Sequence, residues 1–424
     1  MTEAGRDVDV VQVIDSAPYF GWPLAITALT VLIMLVDGYD LQTMSFAAPA
    51  IVADWGIARS DLIWVLNGSL IGMALGSVVL GRIGDRVGRK PAFIACLLSL
   101  CAGSLLSAHA RTLGELFIWR AATGIGLGGL TPLAATFISE WTPRRIRSVA
   151  VTCAIVSVPL GGMLGAMVAQ RAIPAFGWHA VFWIGAALPL LFAMLAAGLL
   201  PESARYLAQD QRHSRRLAMI LNRLVRARRY TGSENFQVTE LAAPSRHWLR
   251  IILGGEYRYT TLLLWSAFAF NTLALYTYAN WLPTVLTAAG FTQKAALEQL
   301  QYFNFGGFFG AIGGATLIGR YGSRRVGSGL ALLGAGASLL IGITLAHSSP
   351  SHLLSPLVMA AGAAFSGVQC FLYAVGAHSY PTYVRAAGVG CAQSISRIGG
   401  VLGGLAAGAF FGLQPQPALS SFFY

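Results

Sequence analysis

Two acids stand one helical turn apart inside an apolar run: Asp37 and Asp40, in IMLVDGYDLQTMSFAAPAI from Ile33 to Ile51. The run begins near Trp22, so a helix through it can cross a bilayer, which takes roughly 20 residues at about 1.5 Å each. An aspartate near the bilayer centre costs roughly 2.5–3.5 kcal/mol on insertion scales. The i, i+3 spacing puts both acids on one helical face, where they can share one polar cavity and relay a proton or ion. A basic residue elsewhere could equally hold them in a structural pair. Two arginines suit either purpose: Arg120 in the fourth apolar run and Arg397 in the eleventh. An arginine at depth needs a cavity or a partner, and its planar fork fits a carboxylate. The pair therefore points to an organic anion, or to neutralisation of Asp37 and Asp40. Further polar groups are aligned on helix faces. Asn271 and Tyr278 are seven apart; Gln369 and Tyr373 are four apart. Polar groups beside aromatic faces suit a flat ring bearing a hydroxyl, although helix packing or an interfacial aromatic belt explains any one of them as well.

The elements that must position these residues are membrane spans. Hydrophobic residues make up 55% of the 424 and charged residues 11%, half or less of the roughly 25% charged in a soluble domain. That composition defines an all-α, polytopic membrane protein with lipid as the solvent for most of its surface. The apolar runs predict spans at 22–48, 61–81, 91–110, 114–139, 148–171, 178–200, 260–286, 299–319, 327–347, 353–377 and 387–411. The net charge of +12 sits in short loops that alternate between dense and sparse, a pattern that argues against a nucleic-acid partner. Dense loops hold Arg82, Arg86, Arg89 and Lys90; Arg144, Arg145 and Arg147; Arg320, Arg324 and Arg325; and Arg385. Sparse loops hold Arg59, Arg111, Arg171 and Lys294 singly. By the positive-inside rule the dense loops and the N-terminus are cytoplasmic. No signal peptide is visible, so the first span directs insertion.

Between the sixth and seventh spans lies a basic linker, 201–258, with eleven arginines. It divides the chain into a first bundle, 1–200, and a second, 259–424. Within the linker, Ser203–Arg229 reads as an amphipathic helix resting on the anionic inner leaflet. The two bundles look like parallel repeats: EWTPRRIRS after the fourth span matches HSYPTYVRA after the tenth, and GRIGDRVGRK after the second has a degenerate copy, GRYGSRR, after the eighth. The second bundle lacks a complete twelfth span, because only seven residues, ALSSFFY, follow Pro417. Either the chain is truncated or that span is incomplete.

Neither enzymatic nor cofactor chemistry is predicted. Cys96, Cys101, Cys153, Cys370 and Cys391 show no paired spacing for disulfides or a metal. GIGLGG at Gly124–Gly129 matches a nucleotide fingerprint but lies inside a span with no preceding strand, so close helix packing explains it better. GRIGDRVGRK is the most specific local signal. Gly81, Gly84 and Gly88 permit a tight turn, and Asp85 can meet cationic groups or a helix N-terminus. Beside Arg86 and Arg89 it reads as a gate. Asp85 is expected to pair with basic groups at neighbouring helix ends, and Glu140 with Arg385 or Arg147, in one of two states.

DGYDLQ, GRIGDRVGRK, PESARYL at Pro201–Leu207 and NWLPT at Asn280–Thr284 together resemble the major facilitator superfamily, most closely its aromatic acid:proton symporters. The resemblance covers nearly the whole chain and implies a fold of two six-helix bundles. It implies import of a benzoate- or hydroxybenzoate-like acid with protons, by a monomer without cofactors. It also implies that Asp37, Asp40, Gly81 and Asp85 are required and that Arg120, Glu140, Arg385 and Arg397 have roles. Two departures stand out: Gly319 replaces an acid in the second loop motif, and the twelfth span is absent. A porter of another organic anion or of a sugar, or a substrate sensor that does not transport, are the competing readings. The predicted topology has a direct check. A cysteine at Lys294 should react with an impermeant thiol reagent from the periplasmic side, and one at Arg215 only after the cells are opened.

Overall fold

The computed structural model describes residues 7–225, 230–238, 248–346, 352–380 and 382–413. Of the positions singled out above, the side chains of Gly81, Asp85, Gly319 and Arg385 lie outside the described residues, as does the stretch 414–424 that bears on a twelfth span. A short strand β1 (Asp7–Asp9) and helix α1 (Val10–Ser16) precede the first bundle. That bundle is α2 (Trp22–Trp55), α3 (Ile63–Val87), α4 (Arg89–Ser107), α5 (Leu113–Trp141), α6 (Arg144–Phe176) and α7 (His179–Leu199). The linker contributes α8 (Ala204–Ala208), α9 (Ser214–Leu224), strand β2 (Asn235–Gln237) and α10 (Trp248–Leu253). The second bundle is α11 (Arg258–Ala288), α12 (Gln293–Tyr321), α13 (Ser323–Ala346), α14 (Leu354–Ser379) and α15 (Thr382–Leu413).

Each predicted span falls on one long helix, and most helices overrun the apolar segment, because a helix need not stop where the hydrocarbon does. By length and composition, eight helices among the described residues can cross a membrane. The three long helices outside that group, α3, α12 and α15, are rich in glycine and pack between the halves. Local chemistry sets several ends. Thr112 caps α5 by accepting from the Glu115 amide at 3.2 Å, and Thr292 caps α12 by accepting from the Ala295 amide at 3.3 Å.

Glycine fixes the helix pairing. Lipid tails are as apolar as leucine, so helices associate through close packing, which small residues permit. A Cβ on Gly38 would overlap the Val158 carbonyl, and one on Gly161 the Leu35 carbonyl, which clamps α2 to α6. In the second bundle Gly399 meets the Ala269 carbonyl in the same way, clamping α15 to α11. The other seam is also repeated. Gly72 and Gly76 on α3 face Ala121 and Ile125 on α5, while Gly306 and Gly310 on α12 face Met359 and Ala363 on α14. The GIGLGG run sits in this packing: Gly124 and Gly128 approach α3, and Gly126 and Gly129 approach α4. The halves are thus parallel repeats in packing as well as in sequence.

The halves touch through α6 and α12, α3 and α15, and α2 and α11. Hydrogen bonds between them join the Gln42 and Asn304 amides, run from Gln170 Nε2 to the Lys294 carbonyl at 3.2 Å, and run from Gln293 Nε2 to the Phe46 carbonyl at 3.4 Å. All lie toward the sparse-loop end of the bundle.

The linker corrects one expectation. Instead of one helix on the lipid surface, Ser203–Leu224 is broken into α8, a 3-10 turn at Gln211–His213 and α9, with Asp210 accepting from the Arg212 amide at 2.9 Å at the break. The apolar face of α9 (Leu217, Ala218, Leu221 and Leu224) is buried against protein, in one cluster with Val13, Phe93, Phe137 and Trp141. Its amphipathicity therefore covers the first bundle, and β1 pairs in parallel with β2 to bind the N-terminal segment to the linker. The helix seams have a quantitative consequence. Gly161→Val should lower stability by about 1–3 kcal/mol through overpacking, seen as a lower melting temperature in detergent. Gly198→Val, which meets nothing within 4 Å, should melt like the wild type.

Candidate functional site

Asp37 and Asp40 part company in the fold. Three residues turn a helix by about 300°, so the two side chains diverge by about 60°, enough to send one into the cavity and the other into the bundle. Asp40 is fully buried among α4, α5 and α7. Its Oδ1 accepts from the Ser104 hydroxyl at 2.8 Å and meets Arg120 Nη1 at 3.5 Å. Arg120 Nη2 also donates to the Asp40 carbonyl at 2.9 Å, and the guanidinium lies 5.8 Å from the Phe182 ring centroid. Arg120 is itself fully buried and absent from the cavity wall. The shared cavity expected for the two acids is therefore not formed, and the two arginines do not face it together.

Asp37 and Arg397 do face a common space. A cavity of about 190 Å³ lies between the halves, walled by both of them and by Thr272, Tyr276, Gln369 and Tyr373. Asp37 comes from α2 in the first half and Arg397 from α15 in the second. Asp37 Oδ1 and Arg397 Nη1 are both buried without a hydrogen-bond partner, as is Thr272 Oγ1. Arg397 is the basic group that acts on the Asp37 charge, with Thr131 beside it. Buried polar atoms without partners are rare in folded proteins and call for a ligand, water or ion. At its sparse-loop end the cavity is closed by Gln42 and Asn304, with Phe303 beside them. An apolar cavity of about 150 Å³ holds a benzene ring, so this one admits a single aromatic ring.

The remaining predicted ligand residues separate. Gln369 and Tyr373 line the cavity. Asn271 stands behind them, donating to Gln369 Oε1 at 2.7 Å and to the Phe365 carbonyl at 3.2 Å, so it positions Gln369. Tyr278 turns away. Its hydroxyl donates to Ser338 on α13 at 2.8 Å and its ring stacks on Phe303 with centroids 5.4 Å apart. Asn271 and Tyr278 do share a face of α11, but the stripe that lines the cavity is the neighbouring one, Thr272, Leu275, Tyr276 and Ala279. His378, the alternative proton carrier should both acids be excluded, is exposed and contacts the Ala374 carbonyl of its own helix.

At the basic end the ion pairs differ from those expected. Glu140 meets Arg89 Nε at 3.4 Å and accepts from the Ser203 hydroxyl at 2.5 Å, rather than pairing with Arg147. Arg147 meets Asp15 at 3.3 Å, and Asp15 also caps α6 by accepting from the Arg144 amide at 2.8 Å. The reason is local. Glu140 ends α5 directly beside the start of α4, whereas Arg147 is a turn into α6, under α1. Arg86 is exposed at the end of α3. Gly88, at φ +108°, is the single residue between α3 and α4. A Cβ there would lie 2.6 Å from Glu202, whose carboxylate accepts from the Arg89 and Lys90 amides at 2.8 and 3.0 Å and so caps α4. PESARYL thus docks onto GRIGDRVGRK, a partnership the sequence did not disclose. Gln42, Asn304, Thr272, Tyr276 and Ser104 were also not foreseen; a lone amide or hydroxyl in a span has no spacing signal.

Residues 30–404 match the Major Facilitator Superfamily. Among curated proteins, the chain is 33% identical to the 4-hydroxybenzoate transporter PcaK of Pseudomonas putida, over 96% of the chain and 91% of that protein. It is 34% identical to the gallate transporter of Pseudomonas putida (96% and 89% covered) and 29% identical to the benzoate transport protein of Acinetobacter baylyi (96% and 88% covered). Among solved structures, the inward open xylose transporter XylE of E. coli superposes with a TM-score of 0.73 at 17% identity, covering 95% of this chain and 94% of that one. The Asp40–Arg120 pair can be tested as structure. Arg120→Ala should destabilise the protein by about 3–5 kcal/mol by stranding a buried carboxylate. Asp40→Asn with Arg120→Gln should recover most of that loss in a thermal melt.

Proposed function

The chain belongs to the Major Facilitator Superfamily, and from that premise we propose that it imports an aromatic carboxylate together with protons by alternating access. The observation that carries this reading is the Asp37–Arg397 pair: two charged groups, one from each half, each with a buried atom that lacks a hydrogen-bond partner, on the wall of a cavity of one-ring size. Arg397 would take the substrate carboxylate, with Tyr276 and Tyr373 against the ring. A neutral sugar would leave Arg397 without its counter-charge, which favours the acid. The relatives named for 4-hydroxybenzoate, gallate and benzoate support the same class.

Asp37 is the proposed proton carrier, and Asp40 a fixed counter-charge for Arg120. An anion bound at Arg397 withdraws that cation from Asp37, so binding of the carboxylate and uptake of a proton are linked. Linkage is reciprocal, so lower pH tightens substrate binding. The proton also removes an energetic obstacle. Carrying one negative charge into a negative interior costs roughly 2.3 kcal/mol per 100 mV, and one proton cancels it. The dense loops support an orientation with the basic end on the cytoplasmic side of a bacterial inner membrane, and the proposed inner gate is at the ends of α3 and α15, with Asp85 and Arg385. One chain supplies both halves and the whole cavity, which supports a monomeric unit.

Uptake of radiolabelled benzoate and 4-hydroxybenzoate into cells, with and without an uncoupler, tests the proposal. Accumulation abolished by the uncoupler is the expected result; no uptake of either acid would overturn it. Asp37→Asn should lose accumulation driven by an imposed pH gradient while retaining substrate exchange. Accumulation that survives in that variant would move the proton elsewhere.

A further inference from the structure

We propose that the Gln42–Asn304 amide pair at the closed end of the cavity reads a hydroxyl on the substrate ring and sets a preference for hydroxylated over unsubstituted aromatic acids. This rests on the aromatic-acid reading of the cavity. The pair is buried, with 5% and 3% of the two residues exposed, yet both line the cavity. Gln42 Nε2 donates to Asn304 Oδ1 at 2.8 Å and Asn304 Nδ2 donates to Gln42 Oε1 at 2.8 Å. Asn304 Nδ2 spends its other hydrogen on the Leu300 carbonyl at 3.0 Å, which fixes the orientation of that amide. Gly162 makes the room: a Cβ there would lie 2.7 Å from Gln42 Nε2.

The donor inventory leaves capacity at this end. Each side-chain amide has two donor hydrogens and two acceptor sites on its oxygen. After the bonds above, Gln42 Nε2 keeps one hydrogen and each amide oxygen can accept once more. A phenolic hydroxyl can therefore donate to an amide oxygen and accept from Gln42. Position agrees with this. Gln42 lies five residues beyond Asp37 on α2, about 7.5 Å of rise toward the sparse-loop end, comparable to the long axis of a para-substituted benzoate. With its carboxylate at Arg397, such an acid points its far substituent at the pair, and Phe303 covers the ring edge between.

The size of the effect follows from what happens without the hydroxyl. A site whose buried polar groups are stranded by the wrong substrate discriminates by factors of thousands or more. Here the amides satisfy each other when nothing else is present, so the gain is that of about one net hydrogen bond, roughly tenfold.

The test compares half-saturation constants for uptake of 4-hydroxybenzoate and benzoate in wild type, in Gln42→Leu/Asn304→Leu, and in the exchange Gln42→Asn/Asn304→Gln. Replacing both partners by apolar residues of similar shape leaves no unpaired amide, which protects the fold. The wild type should favour 4-hydroxybenzoate about tenfold. In the Leu/Leu variant the ratio should fall to about one, because the constant for the hydroxylated acid rises; the exchange variant should keep part of the preference. A Leu/Leu variant with an unchanged ratio, or with parallel losses for both acids, would show that the pair only holds the halves together and would overturn the proposal. Should Leu/Leu not reach the membrane, Asn304→Ala answers by the same ratio. A wild type that moves neither acid sinks the aromatic-acid reading itself, which is a distinct result from any change in ratio.

Discussion

A charge inside a bilayer is tolerable only beside its opposite, and breaking such a pair strands the survivor at a cost of about 3–5 kcal/mol. Asp40 and Arg120 obey that constraint, although Asp40 Oδ2 and Arg120 Nε stay without a hydrogen-bond partner. Both are fully buried within the first half, joined at 3.5 Å and tied again through the Asp40 carbonyl at 2.9 Å. Everything charged at the centre of the molecule is arranged around this closure. With Arg120 consumed, Arg397 is the arginine on the cavity wall, and it comes from the opposite half. The basic neighbour of Asp37, Arg397, thus lies across the joint between the halves, where the proposed alternating access would open the molecule.

The halves can move as units because their internal seams are rigid. Glycine on α2, α6 and α15 brings backbones into contact that no side chain larger than hydrogen permits, α15 doing so against α11, and the α3–α5 and α12–α14 seams repeat the device. Packed interfaces of this kind have discrete arrangements and do not deform continuously. Motion is thereby directed to the joint between the halves, where fewer close glycine approaches hold the helices.

Much of this was legible in the sequence for a physical reason: lipid forces long apolar helices, and their loops carry the charge that orients them. The eleven predicted segments each fall on a long helix, eight of which among the described residues are apolar enough to cross a membrane. The site was legible only in part. Asp37, Arg397, Gln369 and Tyr373 were visible as polar groups at depth, and the fold brings them together. Helical spacing could not show that Asp40 faces α5 while Asp37 faces the cavity, since a divergence of about 60° decides it. Tyr278 failed on a related ground: it shares a face with Asn271, but the neighbouring face of α11 lines the cavity, and its hydroxyl bonds Ser338. The linker helix failed on a different ground. An amphipathic face reports that an apolar partner exists, not whether that partner is lipid or protein, and the buried leucines of α9 found the first bundle.

The chemistry chosen for the joint also answers to magnitude. In the proposed cycle, a contact broken at each turnover is better made of neutral groups than of a closed buried ion pair such as Asp40–Arg120, because separating one costs several kcal/mol. Along the sparse-loop end the halves are instead linked by amides: Gln42 with Asn304, Gln170 with the Lys294 carbonyl and Gln293 with the Phe46 carbonyl. Each such bond contributes about 0.5–1.5 kcal/mol net, so a few of them bias the closed state without locking it. None of these groups titrates. Protonation therefore does not act on these contacts directly; in the proposed cycle it acts through Asp37, whose basic neighbour is Arg397. On that proposal, separating the neutral contacts between the halves from the Asp37–Arg397 pair would let substrate and proton together, rather than pH alone, bias which face of the cavity opens.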